Sequence, residues 1–271
     1  MVGERFEKRN SLKSMCTCSI TPQSILEGPR LQPNDCFTFR CSPEVDCFGQ
    51  CCRDVTIVLT PYDVLRLKRA LGLDSSEFLE KHTLTPRFAG QKFPIVILRM
   101  LEEGERECPF LSERGCGVYG DRPWACRMYP LGAAEPKTAT NEAKAFNFVI
   151  QENLCHGHGK GSPVAAREWI AAQGAEEFEA LGSGYKELTL HDFWDSHELT
   201  APQADMFYMA CYDLDRFRRF VFESRFLELF RVDETRVEAI GESDEDLLEF
   251  AMEWLRFTLF HERTMKLRKT K

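Results

Sequence analysis

The sequence predicts an α+β chain in which a small cysteine-rich unit precedes a mainly helical C-terminal region, and three observations carry that prediction. All cysteines but one, Cys211, fall within the first 155 residues. Short β-branched, apolar runs such as "DVTIVL" and "PIVILRM" lie among those cysteines and read as strands. From residue 163 onward apolar residues recur at spacings of three and four, the period of a helix that buries one face.

Taken in order, residues 1 to 30 are polar with scattered prolines and read as a partly disordered extension, in which Cys16 and Cys18 are accessory ligands or, on the plainer reading, ordinary surface thiols. "DVTIVL" is the first strand to leave the cysteine-rich text. "TPYDVLRLKRALG" follows with full helix punctuation: Thr60 as N-cap, Pro61 at the first helical position, Asp63 in the first turn and Gly72 at the end. Val64, Leu67 and Leu71 share one face of that helix. "DSSEFLEKH" predicts a second, short helix capped by Asp74 or Ser75. "PIVILRM" is the next strand, "EEGE" a hairpin turn, and "KAFNFVIQE" a further strand. The glycine-rich "CHGHGKGSP" marks a change of composition, which places a boundary near residue 160. The expected organisation is thus 1–30 extension, 31–160 cysteine-rich domain and 161–271 helical region. In the last of these, Phe207, Cys211, Leu214, Phe217 and Val221 form one apolar stripe, and Leu248, Ala251, Leu255 and Leu259 another. Cys211 is on this count a core residue. The terminal "MKLRKTK" reads as a solvated helix end.

Composition narrows the classes of function. A formal net charge of −8 argues against a phosphate-reading surface, so no nucleic-acid partner is expected. No signal-peptide-like or 18-residue apolar run occurs, so no membrane partner and a cytoplasmic location are expected. In a reducing compartment clustered cysteines point to metal or redox chemistry before disulfides. Cys51 and Cys52 are poor disulfide partners for each other, since neighbouring Cα atoms sit about 3.8 Å apart, closer than an unstrained bridge prefers.

Eight cysteines form the constellation: Cys41, Cys47, Cys51 and Cys52, then Cys108, Cys116 and Cys126, then Cys155. Soft thiolates suit zinc or an iron–sulfur cluster, and two distant segments sharing one site would tie the chain together. Glycines on both sides of Cys116 predict backbone N–H groups near sulfur. Arg53, Arg122 and Arg127 beside cysteines predict positive charge that lowers thiol pKa. Neither the zinc-type C-x2-C nor a ferredoxin run is present, so the spacing leaves zinc and iron–sulfur both open. Cys36 is close enough to substitute for a ligand, though a spare thiol is the plainer reading. His156 and His158 are candidate nitrogen ligands or bystanders. Tyr119, Asp121, Arg122, Arg127 and Tyr129 are the polar residues beside the constellation, read mainly as a helix cap (Asp121) and packing (the tyrosines).

The ordered series "FRC…CFGQCC", "LTPYDVLRLKR", "CPFL" and "GCGVYGDRPWACRMYPLG" with a later cysteine closely resembles the YkgJ-type cysteine-cluster proteins, described as zinc- or iron-chelating, over roughly residues 36 to 155. The resemblance implies that Cys41, Cys47, Cys51, Cys52, Cys108, Cys116, Cys126 and Cys155 are the metal ligands. This chain opens C-x5-C-x3-CC where the family has C-x2-C-x2-CC, which bears on Cys41 and Cys47. The family includes a bacterial flagellin lysine methylase, so the resemblance implies either a metal-binding protein whose helical half binds a protein partner, or a cluster-dependent protein-modifying enzyme with S-adenosylmethionine as cosubstrate. A thiol redox or metal-handling role is the third class. The sequence assigns no catalytic residue and no oligomeric state.

Overall fold

The computed structural model describes residues 29–137 and 144–268. The extension with Cys16 and Cys18 lies almost wholly outside them, as do the last three residues. Four small antiparallel sheets and ten α-helices are seen among the described residues, so the fold is α+β.

Strand β1 (Cys36–Phe39) pairs with β9 (His158–Ala165), with a register shift between Thr38 and Phe39. The glycine-rich run that reads as a break is therefore largely a strand. β2 (Val58–Leu59), β4 (Val96–Leu98) and β3 (Thr83–Leu84) form a three-stranded sheet in the order β2-β4-β3. β2 is shorter than "DVTIVL" suggests. β5 (Leu111–Ser112) and β6 (Gly115–Cys116) make a tight hairpin, and β7 (Leu131–Ala134) pairs with β8 (Phe146–Val149). The "EEGE" turn is closed by the Leu101 N–H donating to the Glu107 carbonyl at 2.9 Å.

Helix α1 (Pro61–Leu71) starts where its punctuation says it should. Thr60 Oγ1 accepts from the Asp63 N–H, the Asp63 carboxylate accepts from the Thr60 N–H, and Gly72 ends the helix in the left-handed region. α2 (Ser75–His82) is capped by Asp74. α3 (Trp124–Met128) is a single turn that carries Cys126. The helical region runs α4 (Ala166–Ala172), α5 (Ala175–Thr189), α6 (Ala201–Cys211), α7 (Leu214–Glu223), α8 (Phe226–Leu229), α9 (Glu234–Glu242) and α10 (Asp244–Phe260). The stripe from Phe207 to Val221 is buried throughout but spans two helices: the chain breaks at Tyr212, and the Asp213 side chain caps α7.

α10 is the hub of the helical region, packed against α5, α6, α7, α9 and α1. Its Leu248, Ala251, Leu255 and Leu259 enter a core shared with Leu59, Leu65, Phe78, Val96, Phe110 and Val118 from the cysteine-rich part. Cys211 sits fully buried in that core. A second, smaller core of Phe37, Phe39, Met128, Leu131, Ala166 and Ala175 lies beneath the cysteine-bearing loops. Apolar burial at roughly 25 cal/mol per Å² makes these two cores the main source of stability. No helix among the described residues is long and apolar enough to cross a membrane.

Candidate metal centre

The loop after β1 turns back on itself through residues 41 to 52. The Val45 N–H donates to the Ser42 carbonyl, the Phe48 N–H to Val45, and the Gln50 N–H to Cys47. Gly49, at φ 79°, then leads into a 3-10 turn at Gln50–Cys52. An L side chain is disfavoured in that conformation, so the glycine lets Cys51 and Cys52 follow Cys47 within one tight loop. The second segment is tied directly to the first: the Cys108 N–H donates to the Cys52 carbonyl at 2.8 Å. Cys116 lies on β6 opposite Leu111, Cys126 on α3, and Cys155 in a turn whose N–H donates to the Glu152 carbonyl. That turn is locked onto the first loop, because the His156 N–H donates to Cys47 Sγ at 3.1 Å and the Arg40 N–H to the Gly157 carbonyl at 3.1 Å. A Cβ on Gly157 would stand 2.6 Å from the Arg40 carbonyl, so this close crossing demands glycine.

Cys41, Cys47, Cys51 and Cys155 line one cavity, together with Phe39, Val45 and Tyr129. Its volume is about 30 Å³, the space of an ion or a water or two. The other thiols adjoin it. Burial first and then the neighbouring thiols of Cys51, Cys155 and Cys47 push Cys41 up to about 11. A hydrogen bond with Cys52, followed by burial, raises Cys51 strongly. Burial and then Cys116 and Cys51 raise Cys108. Cys126 is exposed, yet desolvation by the surrounding protein, then Cys108, Asp63, Cys116 and Cys51, push it up to about 12. The eight sulfurs thus gather into one neighbourhood, with Cys51 felt from both sides. They do not close to coordination distance. Among the described residues, the set of three candidate donor atoms lying within 4.8 Å of one another is Asp46, Cys47 and His156.

The arginine expectation is overturned. Arg53 is bound to Glu105, Glu107 and the Gly49 carbonyl. Arg122 donates to the Tyr119 carbonyl and to Gln173, and Arg127 to the carbonyls of Gly120, Arg122 and Gln173. Their charges are spent on backbone and carboxylates, and the shifted thiols move up rather than down. Asp121 does not cap α3 either: it pairs with Arg66 at 2.7 Å, and Pro123 holds the cap position. Of the glycines around Cys116, Gly115 is left-handed, whereas the Gly117 N–H donates to the Phe110 carbonyl rather than to sulfur. Tyr119 is exposed with the Arg122 guanidinium over its ring, while Tyr129 lines the cavity and is raised by burial and by Cys155.

Cys36 lies exposed at the start of β1, outside the cavity lining. The His158 ring lies tilted against Phe39, and its Nε2 is buried without a partner among the described residues. Asp46 escaped the sequence reading; its adjacency to Cys47 was the available signal. Ser42 Oγ and Trp124 Nε1 are the other buried polar atoms without a partner among the described residues. All three fall within three positions of a constellation cysteine. His158 Nε2 is the one of the three that can ligate a cation, and soft thiolates are the donors zinc and iron favour. The residues fit a metal.

Residues 40–156, under half of the chain, match the family described as "CxxCxxCC: Putative zinc- or iron-chelating domain". That match agrees with the resemblance to the cysteine-cluster proteins. The matched segment takes in all eight constellation cysteines and leaves out Cys36 and Cys211. No curated protein and no solved structure shows a significant match to the chain.

Proposed function

We propose that the chain is a cytoplasmic metal-binding protein in which Cys41, Cys47, Cys51, Cys52, Cys108, Cys116, Cys126 and Cys155 supply thiolates to zinc or to an iron–sulfur cluster. The observation that carries this reading is the ion-sized cavity lined by Cys41, Cys47, Cys51 and Cys155, four cysteines from segments more than 100 positions apart. Zinc there would cross-link those segments, and an iron–sulfur cluster would add one-electron chemistry. Cys51 and Cys52, adjacent on the 3-10 turn, serve different sides of the cluster. The metal then belongs to residues 31–160 and a protein partner to the helical region 161–271, with β9 and the shared core joining the two. No residue is assigned a catalytic role. The net charge of −8 favours neither nucleic acid nor an anionic membrane as partner.

The test is anaerobic purification followed by zinc, iron and acid-labile sulfide analysis of the wild type, Cys41→Ser and Cys155→Ser. The wild type should hold metal in stoichiometric amount and both variants should lose it. Full retention in both variants would sink the ligand assignment.

A further inference from the structure

Asp46 and His156 each lie between two residues that line the cysteine cavity, Val45 and Cys47 for the first and Cys155 and Gly157 for the second; they are 110 positions apart in sequence, with Asp46 Oδ1 and His156 Nδ1 2.8 Å from each other. Their side chains are 73% and 52% exposed, so the pair faces solvent. The neighbourhood is built rather than accidental. β1–β9 pairing ends at Phe39↔His158, the His156 N–H is fixed on Cys47 Sγ, and Arg40 and Gly157 lock the two loops beside it. One carboxylate oxygen, one imidazole nitrogen and one sulfur all lie within 4.8 Å of each other.

We propose that Asp46, Cys47 and His156 form an outer, solvent-facing site for an exchangeable divalent cation, linked to the cysteine cluster through Cys47. A mixed O, N, S donor set suits a borderline ion such as zinc or cobalt(II), and disfavours magnesium and calcium, which want oxygen alone. The ion takes the place of the proton shared by Nδ1 and Oδ1, and a carboxylate with a thiolate balances its two positive charges. Three protein ligands leave one tetrahedral position to water, the arrangement of a site from which metal can leave. Since Cys47 also lines the inner cavity, an ion here is one ligand exchange away from the inner thiolates. The proposal rests on the metal-binding reading only through that shared cysteine.

The experiment titrates cobalt(II) chloride into the full-length protein purified anaerobically with its tightly held metal. Equilibrium dialysis and the visible spectrum are followed for the wild type, Asp46→Asn and His156→Gln. The wild type should take up one further equivalent with thiolate-to-cobalt absorption. Both variants should bind it at least tenfold more weakly while keeping the tightly held metal and the wild-type melting curve. No extra equivalent in the wild type, or equal uptake by the variants, overturns the outer site. So does loss of the tightly held metal from His156→Gln, which would make His156 an inner ligand. The inner reading fails separately, if Cys41→Ser keeps the tightly held metal.

Discussion

The Asp63 carboxylate accepts the backbone N–H of Trp124 at 2.7 Å, so the helical turn that carries Cys126 starts on the first turn of α1. The same carboxylate closes the capping box through the Thr60 N–H at 2.7 Å, and the residue is fully buried. One side chain therefore satisfies the starts of two helices. Replacing it strands two N–H groups.

Asp63→Ala should cost about 2–4 kcal/mol, since each buried donor left unpaired is worth about 1–3 kcal/mol, and should loosen α3. Denaturant unfolding measures the first effect, and metal content of the folded fraction the second. A loss under 1 kcal/mol would mean that water replaces the carboxylate at both helix starts.

Lys68 joins the cysteine-rich part to the helical region. Its ammonium, on α1, lies 2.9 Å from Asp215 at the start of α7 and 3.1 Å from Asp244 at the start of α10, and its side chain is 7% exposed. Removing one partner of a buried ion pair costs roughly 3–5 kcal/mol because the other charge is stranded. Lys68→Ala should approach the lower figure, as Arg69 and Arg218 also reach Asp244. Unfolding curves followed by fluorescence check this. Unchanged stability would show that those arginines compensate fully.

Acid should act on the same junction. Burial alone would raise Asp215, but the Lys68 ammonium and the Ser75 N–H outweigh it and hold the carboxyl below its usual 3.8. A carboxyl depressed in the folded state contributes stability above the unfolded pKa and loses it as pH falls through the folded one. The stability gap between wild type and Asp215→Asn should therefore be constant from pH 7 to about 5 and shrink below about 4. Thiol protonation affects both proteins alike and cancels in the difference. A gap that stays constant down to pH 3 would contradict the assignment.

What the sequence made legible was local. Thr60, Pro61, Asp63 and Gly72 announce α1 because capping acts over three or four residues, and that punctuation fixes the helix ends. The second bond of Asp63, to a residue 61 positions away, carries no such signature. Arg127 shows the converse error: next to Cys126 in sequence, it donates to the carbonyls of Gly120 and Arg122 behind it and of Gln173 far ahead, and sets its guanidinium over Phe178. The apolar stripe from Phe207 to Val221 named the buried residues correctly. It hid the break at Tyr212 and Asp213, because a capped interruption between two helices can preserve the three-and-four spacing. The cysteines could be picked out as a group, whereas Asp46 beside His156 exists only after β1 and β9 have paired.

The last prediction separates the roles of the cysteines. Cys51→Ser should lose the tightly held metal, because Cys51 both lines the cavity and sits against Cys52. Cys36→Ser should change nothing measurable: the thiol is exposed, and its hydrogen bond among the described residues is a weak 3.9 Å approach to the Asn34 carbonyl. Cys211→Ser should keep full metal content but lose about 1–3 kcal/mol, the cost of placing a hydroxyl in an apolar core without a partner. Its sulfur is wholly buried among Phe207, Leu214 and the helices around α10, and desolvation holds the thiol firmly neutral. Metal analysis and denaturant unfolding on the three variants give two independent axes, and each variant should move along a different one or along neither. Metal loss in Cys36→Ser would bring β1 into the ligand set. Metal loss in Cys211→Ser at unchanged stability would mean that the shared core transmits strain to the cysteine cluster, 0% exposure notwithstanding.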